Sequence, residues 1–159
     1  MPQMIVRATA RGFAGVSMRR LLFAGMMAAL FVLLSAADRA KAAILVQIDR
    51  AAQTMQVVVD GYPRYSWPVS TGRRGLPTPA GVFHPQSMAV RWFSRKYDNS
   101  PMPHSIFFRG GIAIHGTYET AWLGRPVSHG CVRLHPANAA VLFGLVQSEG
   151  MGATTILVH

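Results

Sequence analysis

From residue 43 onward the chain alternates short apolar, β-branched runs with polar turn signals, the pattern of a strand meander. Ile44 to Ile48 and Met55 to Val59 read as strands separated by Asp49 to Gln53, and Asp60-Gly61 supplies the next turn. Tyr62 to Val69 continues as a strand, and Pro63 and Pro68 put it at a sheet edge, because proline has no amide proton for a second neighbour. Thr71 to Gly81 holds three glycines and two prolines and reads as a loop with fixed turns; Val82 to Trp92 then returns to an extended pattern. Phe93 to His104 is polar, carries Pro101 and Pro103, and reads as a surface loop. Ile106 to Phe108 and Ile112 to Ile114 predict buried strands flanking Gly110-Gly111, with His115 at a strand end. One helix is expected: Pro136 suits its first position, Asn138 lies in the first turn, Val141, Leu142, Leu145 and Val146 recur at helical spacing, and Gly150 terminates it. Thr154 to Val158 closes the sheet, giving a mainly β architecture with one packed helix.

The first 42 residues have a different character. Residues 1 to 20 carry Arg7, Arg11, Arg19 and Arg20 and no acid, and Leu21 to Leu34 is an uncharged apolar run of fourteen residues. This is the layout of a secretory signal, with Ala40-Lys41-Ala42 as the cut that releases a chain starting at Ala43. Ser35-Ala36-Ala37 is an alternative cut, Met18 an alternative start, and an uncleaved anchor a third possibility; no cysteine follows the run, which argues against a lipoprotein. The expected organisation is a signal segment over 1–42 and one catalytic-sized domain over 43–159. A chain of that length buries about two thirds of its unfolded surface.

Export changes the reading of charge and of cysteine. The formal charge of the whole chain is +10, but six of its sixteen Lys and Arg residues and one of its six acids precede residue 43, leaving +5. That favours an anionic partner such as a carboxylate-bearing envelope polymer. No basic run with interleaved aromatics points to nucleic acid.

Cys131 is the only cysteine, so no internal disulfide forms, and its thiol is an apolar filler, a metal ligand or a reactive group. It closes Ser128-His129-Gly130-Cys131, and sixteen positions upstream His115 ends an apolar run, so two imidazoles are candidate bases. A free thiol is mostly protonated at neutral pH; a neighbouring imidazole either takes its proton during attack or holds it as an ion pair. Glycine before the cysteine lets the backbone turn so that amides near Gly130 and Cys131 face a developing oxyanion. A rival reading takes His115, His129, Cys131 and His135 as a zinc set, although their spacing matches no metal motif.

His115-Gly116-Thr117 followed by Ser128-His129-Gly130-Cys131-Val132-Arg133-Leu134 resembles the signature of the L,D-transpeptidase catalytic domain family. Ser70-Thr71-Gly72 with Thr78-Pro79-Ala80-Gly81-Val82-Phe83, and Met102-Pro103 before Ile106-Phe107-Phe108, extend the resemblance over most of residues 44 to 159. The resemblance implies a mainly β, sandwich-like catalytic fold with one helix in its C-terminal half. It implies acyl transfer on peptidoglycan stem tetrapeptides in the envelope or periplasm, releasing terminal D-alanine through a Cys131 acyl-enzyme and forming 3-3 cross-links. Water or a free D-amino acid as acceptor would make the same site a carboxypeptidase or an exchange enzyme. It also implies Cys131 as nucleophile, His115 as general base and acid, the Gly116 carbonyl as orienter of the imidazole, and His129 as a supporting pocket residue. Arg133, Ser128, Gly130, Thr117 and Trp122 are the expected substrate contacts; Ser128 also suits a brace of the turn. Relatives often have tyrosine where His104 stands. Neither cofactor nor metal is expected, membrane contact is expected only through the signal segment, and oligomeric state is not read. A non-catalytic envelope-binding domain is the remaining rival, which the intact Cys131 and His115 argue against.

Overall fold

The computed structural model describes residues 43–159, so the expected signal segment and its candidate cleavage sites lie outside the described residues. Alternation sets the first sheet. β1 (Ile44–Asp49) buries every second side chain, Ile44, Val46 and Ile48, and pairs antiparallel with β2 (Thr54–Val59) across the short turn read from Asp49 to Gln53. β3 (Tyr62–Pro68) is the edge strand that its prolines require. The last strand of the chain, β11 (Thr154–Val158), pairs parallel with β1, and β4 (Gly81–Phe83) caps the other edge, giving the order β3-β2-β1-β11-β4.

A second sheet carries the chemistry. β8 (Ser105–Arg109) and β9 (Ile112–Gly116) form the hairpin expected around Gly110-Gly111, flanked by β5 (Ser87–Ala89) and by β10 (Val132–Leu134) in the order β10-β9-β8-β5. Inward residues of both sheets and of the helix α1 (Pro136–Glu149) share one core that includes Ile44, Val57, Phe108, Ile114, Leu142 and Ile156. The mainly β, sandwich-like architecture with one α-helix is therefore as expected. α1 starts with Pro136 at N1, takes a cap from His135, whose Nδ1 accepts the Ala137 amide at 3.3 Å, and ends at Gly150.

Three local expectations change. The extended stretch from Val82 to Trp92 divides, β4 joining the first sheet and β5 the second. The surface loop Phe93 to His104 contains a two-stranded hairpin, β6 (Phe93–Ser94) with β7 (Ser100–Pro101), prolonged by amide bonds from Met102 to Trp92 and from His104 to Val90. Val132 to Leu134, too short for a periodic signal, becomes β10 because β9 supplies a parallel edge for it.

Candidate active site

Strand parity builds the site. β10 runs parallel to β9 with Val132 beside Ile114 and Arg133 beside His115. Ile114, Val132 and Leu134 are buried in the core, so the alternating residues His115 and Arg133, and Cys131 one step before β10, face the other way. There they line a cleft of about 640 Å³. Sixteen residues of separation in sequence thus become neighbouring strands in one sheet.

The turn that presents the thiol is held by a buried polar network. Ser128 Oγ donates to the Cys131 carbonyl at 2.6 Å and accepts the Gly130 amide at 3.1 Å, which is the bracing role of its hydroxyl. Gly130 has φ +120°, a conformation open to glycine and strained for other residues. The Gly130 amide, one of the two expected to face an oxyanion, is engaged by Ser128 in this structure. Thr78, fully buried, accepts the Gly72 amide at 2.9 Å and donates to the Gly130 carbonyl at 2.8 Å. A Cβ on Gly72 would overlap the Leu76 carbonyl oxygen, so the loop closes this tightly only with glycine there. Ser70 and Arg133 exchange both backbone hydrogen bonds, and the Ser128 amide donates to Thr71, whose own amide and hydroxyl bond the buried Gln53 side chain. The turn that carries Cys131 is therefore tied back to the β1–β2 hairpin.

Electrostatics define the resting protonation. His115 donates from Nδ1 to the Gly116 carbonyl at 2.8 Å, which assigns the lone pair to Nε2. Burial holds its pKa down at about 4; the Gly116 hydrogen bond opposes that shift and the charge of Arg133 adds to it. Burial raises the Cys131 thiol above its usual range, against opposing contributions from the Ala113 backbone hydrogen bond and Arg133. Cys131 is half-buried, its sulfur 3.9 Å from the Gly111 carbonyl oxygen and still open to the cleft. A raised thiol and a depressed imidazole sharing one cleft are both neutral at pH 7.

The cleft is roofed by the β6–β7 hairpin, from which Trp92, Phe93 and Tyr97 reach in. Tyr97 stacks on His129 with ring centroids 4.2 Å apart and planes at 25°. Arg73 Nη1 lies 2.8 Å from His129 Nε2, and burial, then Arg73, Arg133 and Lys96, lower the His129 pKa. His129 is thus engaged at the cleft wall by Arg73 and Tyr97. Arg133 pairs with Glu119 at 2.8 Å.

Of the expected site residues, Cys131, His115, His129, Ser128 and Arg133 line the cleft, with the Gly116 carbonyl behind His115. Thr117 and Trp122 do not: Thr117 is buried and accepts the Glu119 amide, and Trp122 stands half-exposed with Arg125 5.8 Å from its ring centroid. His104 packs edge-on against Phe143 and is likewise outside the cleft. Among the described residues no group of three or more His, Cys, Asp or Glu side chains is placed to hold a metal ion, and His135 serves as the helix cap. Sequence reading missed Tyr97 and Glu119 as cleft residues and Arg73 as the partner of His129, and gave Thr78 no role. Two aromatics, Phe93 and Tyr97, in an otherwise polar proline-bearing loop, with Trp92 just before it, were the available signal for the roof.

Comparison with known proteins agrees with this geometry. The family model of the L,D-transpeptidase catalytic domain (YkuD) matches residues 43–158. No curated sequence matches the chain. Similar solved structures include an L,D-transpeptidase from Mycobacterium smegmatis, 26% identical with a TM-score of 0.66, covering 74% of this chain and 59% of that one. An L,D-transpeptidase from Stackebrandtia nassauensis is 28% identical with a TM-score of 0.64, covering 82% and 63%. The L,D-transpeptidase LdtMt1 in complex with imipenem is 25% identical with a TM-score of 0.65, covering 74% and 59%. The chain thus spans about three fifths of the length of these structures. With a thiol and an imidazole on adjacent strand ends and the family match running from one end of the described residues almost to the other, the chain belongs to the L,D-transpeptidase catalytic domain family.

Proposed function

We propose that this protein is an exported cysteine acyltransferase that acts on peptidoglycan stem tetrapeptides and forms 3-3 cross-links. The observation that carries the reading is the common cleft of Cys131 and His115, with the Nδ1 proton of His115 held by the Gly116 carbonyl and Nε2 left as base. In the first step Cys131 Sγ bonds to the carbonyl carbon at the L-centre of the third stem residue while its proton passes to His115 Nε2. The Cys131 amide bonds the developing oxyanion. Collapse breaks the bond to the terminal D-alanine, whose amine takes the proton from His115, leaving a thioester. An amine of a second stem then attacks the thioester, gives its proton to His115, and the C–S bond breaks; the thiolate recovers that proton. Water or a free D-amino acid in place of that amine gives the carboxypeptidase or exchange outcome. His129 shapes the cleft wall, and residues 1–42 direct export and are removed before Ala43, so the enzyme works in the periplasm or cell envelope.

Mass spectrometry of products after incubation with a muropeptide tetrapeptide tests this. The expected product is a tetrapeptide–tripeptide dimer, absent with Cys131→Ala and His115→Ala. Tripeptide alone would redirect the reading to hydrolysis, and unchanged substrate would sink it. N-terminal sequencing of the protein from envelope fractions tests the start at Ala43.

A further inference from the structure

The ion pair between Arg133 and Glu119 lies in the cleft beside Cys131 and His115, and the reaction above makes no use of Glu119. Its two members are unequally held. Arg133 sits in β10, hydrogen-bonded through its backbone to Ser70, and its side chain is 20% exposed. Glu119 precedes the short 3-10 turn Thr120–Trp122, and its side chain is 64% exposed. Among the described residues no second cation lies within ion-pair distance of that carboxylate. The contact uses Nη1 alone, at 2.8 Å, out of a guanidinium whose five N–H donors are laid out to take a carboxylate with both oxygens. An ion pair so exposed is weak, and a second carboxylate seated on the full fork makes the better contact.

We propose that Glu119 is a resident carboxylate: it occupies Arg133 in the empty cleft and is displaced by a carboxylate of the incoming ligand, making Arg133 an anion subsite guarded from within the chain. The natural ligand, a peptide with a free carboxylate near its scissile bond, is named on the strength of the stem-peptide reading; the exchange itself is not. Exchange of one carboxylate for another keeps a partner on a half-buried cation that acts electrostatically on both His115 and Cys131. Without Glu119, the empty cleft would hold that charge unpaired.

Protection of Cys131 in the full chain tests the exchange without requiring turnover. The rate of alkylation by iodoacetamide, a neutral reagent, is measured at fixed pH against increasing N-acetyl-D-alanine. In the native protein the carboxylate slows alkylation and N-acetyl-D-alaninamide does not. Glu119→Gln lowers the half-protecting concentration roughly two- to fivefold, the range set by removing a weak competing ion pair. Arg133→Lys, which keeps the charge and loses the fork, raises it. A half-protecting concentration that is unchanged or higher in Glu119→Gln overturns the proposal and makes Glu119 a brace of Arg133; equal protection by the amide overturns it as well. If protection follows the expected order but no cross-linked or hydrolysed product forms, the transpeptidase reading fails and the exchange stands. Products with normal Cys131 and His115 dependence but no shift in Glu119→Gln sink the exchange alone.

Discussion

At the scale of single residues, the site depends on groups that touch no substrate. Thr78 joins the Gly72 amide to the Gly130 carbonyl from a fully buried position. Thr78→Val keeps the volume and leaves both groups unpaired, so it should cost at least roughly 1–3 kcal/mol in urea unfolding, with loss of activity beyond the stability effect. Thr78→Ser, which keeps the hydroxyl, should restore most of both; an unchanged unfolding midpoint in the valine variant would count against this role. The neutral resting pair makes a second residue-level prediction. Alkylation of Cys131 should keep accelerating as pH rises past 9, because burial raises the thiol and its imidazole neighbour is uncharged. A plateau of reactivity below pH 7 would instead mean a preformed thiolate–imidazolium pair. The lone thiol and its two candidate bases were legible in the sequence, since one cysteine and two nearby histidines leave few options. The spacing alone did not choose between them; the family resemblance pointed to His115 oriented by the Gly116 carbonyl, whereas the contact of Arg73 with His129 has no sequence pattern.

At the scale of elements, the β6–β7 hairpin forms a two-stranded sheet of its own. It reaches the nucleophile turn through the stack of Tyr97 on His129. Tyr97→Ala should remove roughly 0.5–1.5 kcal/mol of aromatic contact, raising KM and Cys131 alkylation about two- to tenfold while the unfolding transition moves little. A variant with native KM and native alkylation would show that the hairpin does not cover the site. Periodicity exposed β1, β2 and α1, which bury a regular face, and short apolar runs exposed β8 and β9, which are buried nearly throughout. Periodicity could not expose β6, β7 or β10, which are two or three residues long and exist because a neighbouring edge offers them hydrogen bonds.

At the scale of the whole molecule, the buried His115 links acid stability to the active site. Its folded pKa of about 4 lies below the ordinary 6.5, so between those values the unfolded chain binds a proton that the folded protein refuses. Stability should therefore fall as pH drops from about 6.5 to about 4, by at most about 3 kcal/mol from this residue, and gain no further loss from it below that range. Chemical unfolding of the native protein and of His115→Gln across that interval checks the sign: the glutamine variant should lack this part of the slope. Equal slopes would mean that His115 is protonated in the folded state.

The sequence by itself determined a mainly β chain with one helix, a lone thiol in a glycine turn, and an imidazole at the end of a buried strand, because these follow from local spacing and from side-chain chemistry. The tertiary structure alone decided that β10 would run beside β9, that Thr78 and Ser128 would hold the turn, that the hairpin from Phe93 to Pro101 would roof the cleft, and that Glu119 would sit on Arg133. Each of these joins segments far apart in the chain or through single polar contacts. Such contacts follow from how the two sheets pack on one core, and they leave no periodic trace in the residues that make them.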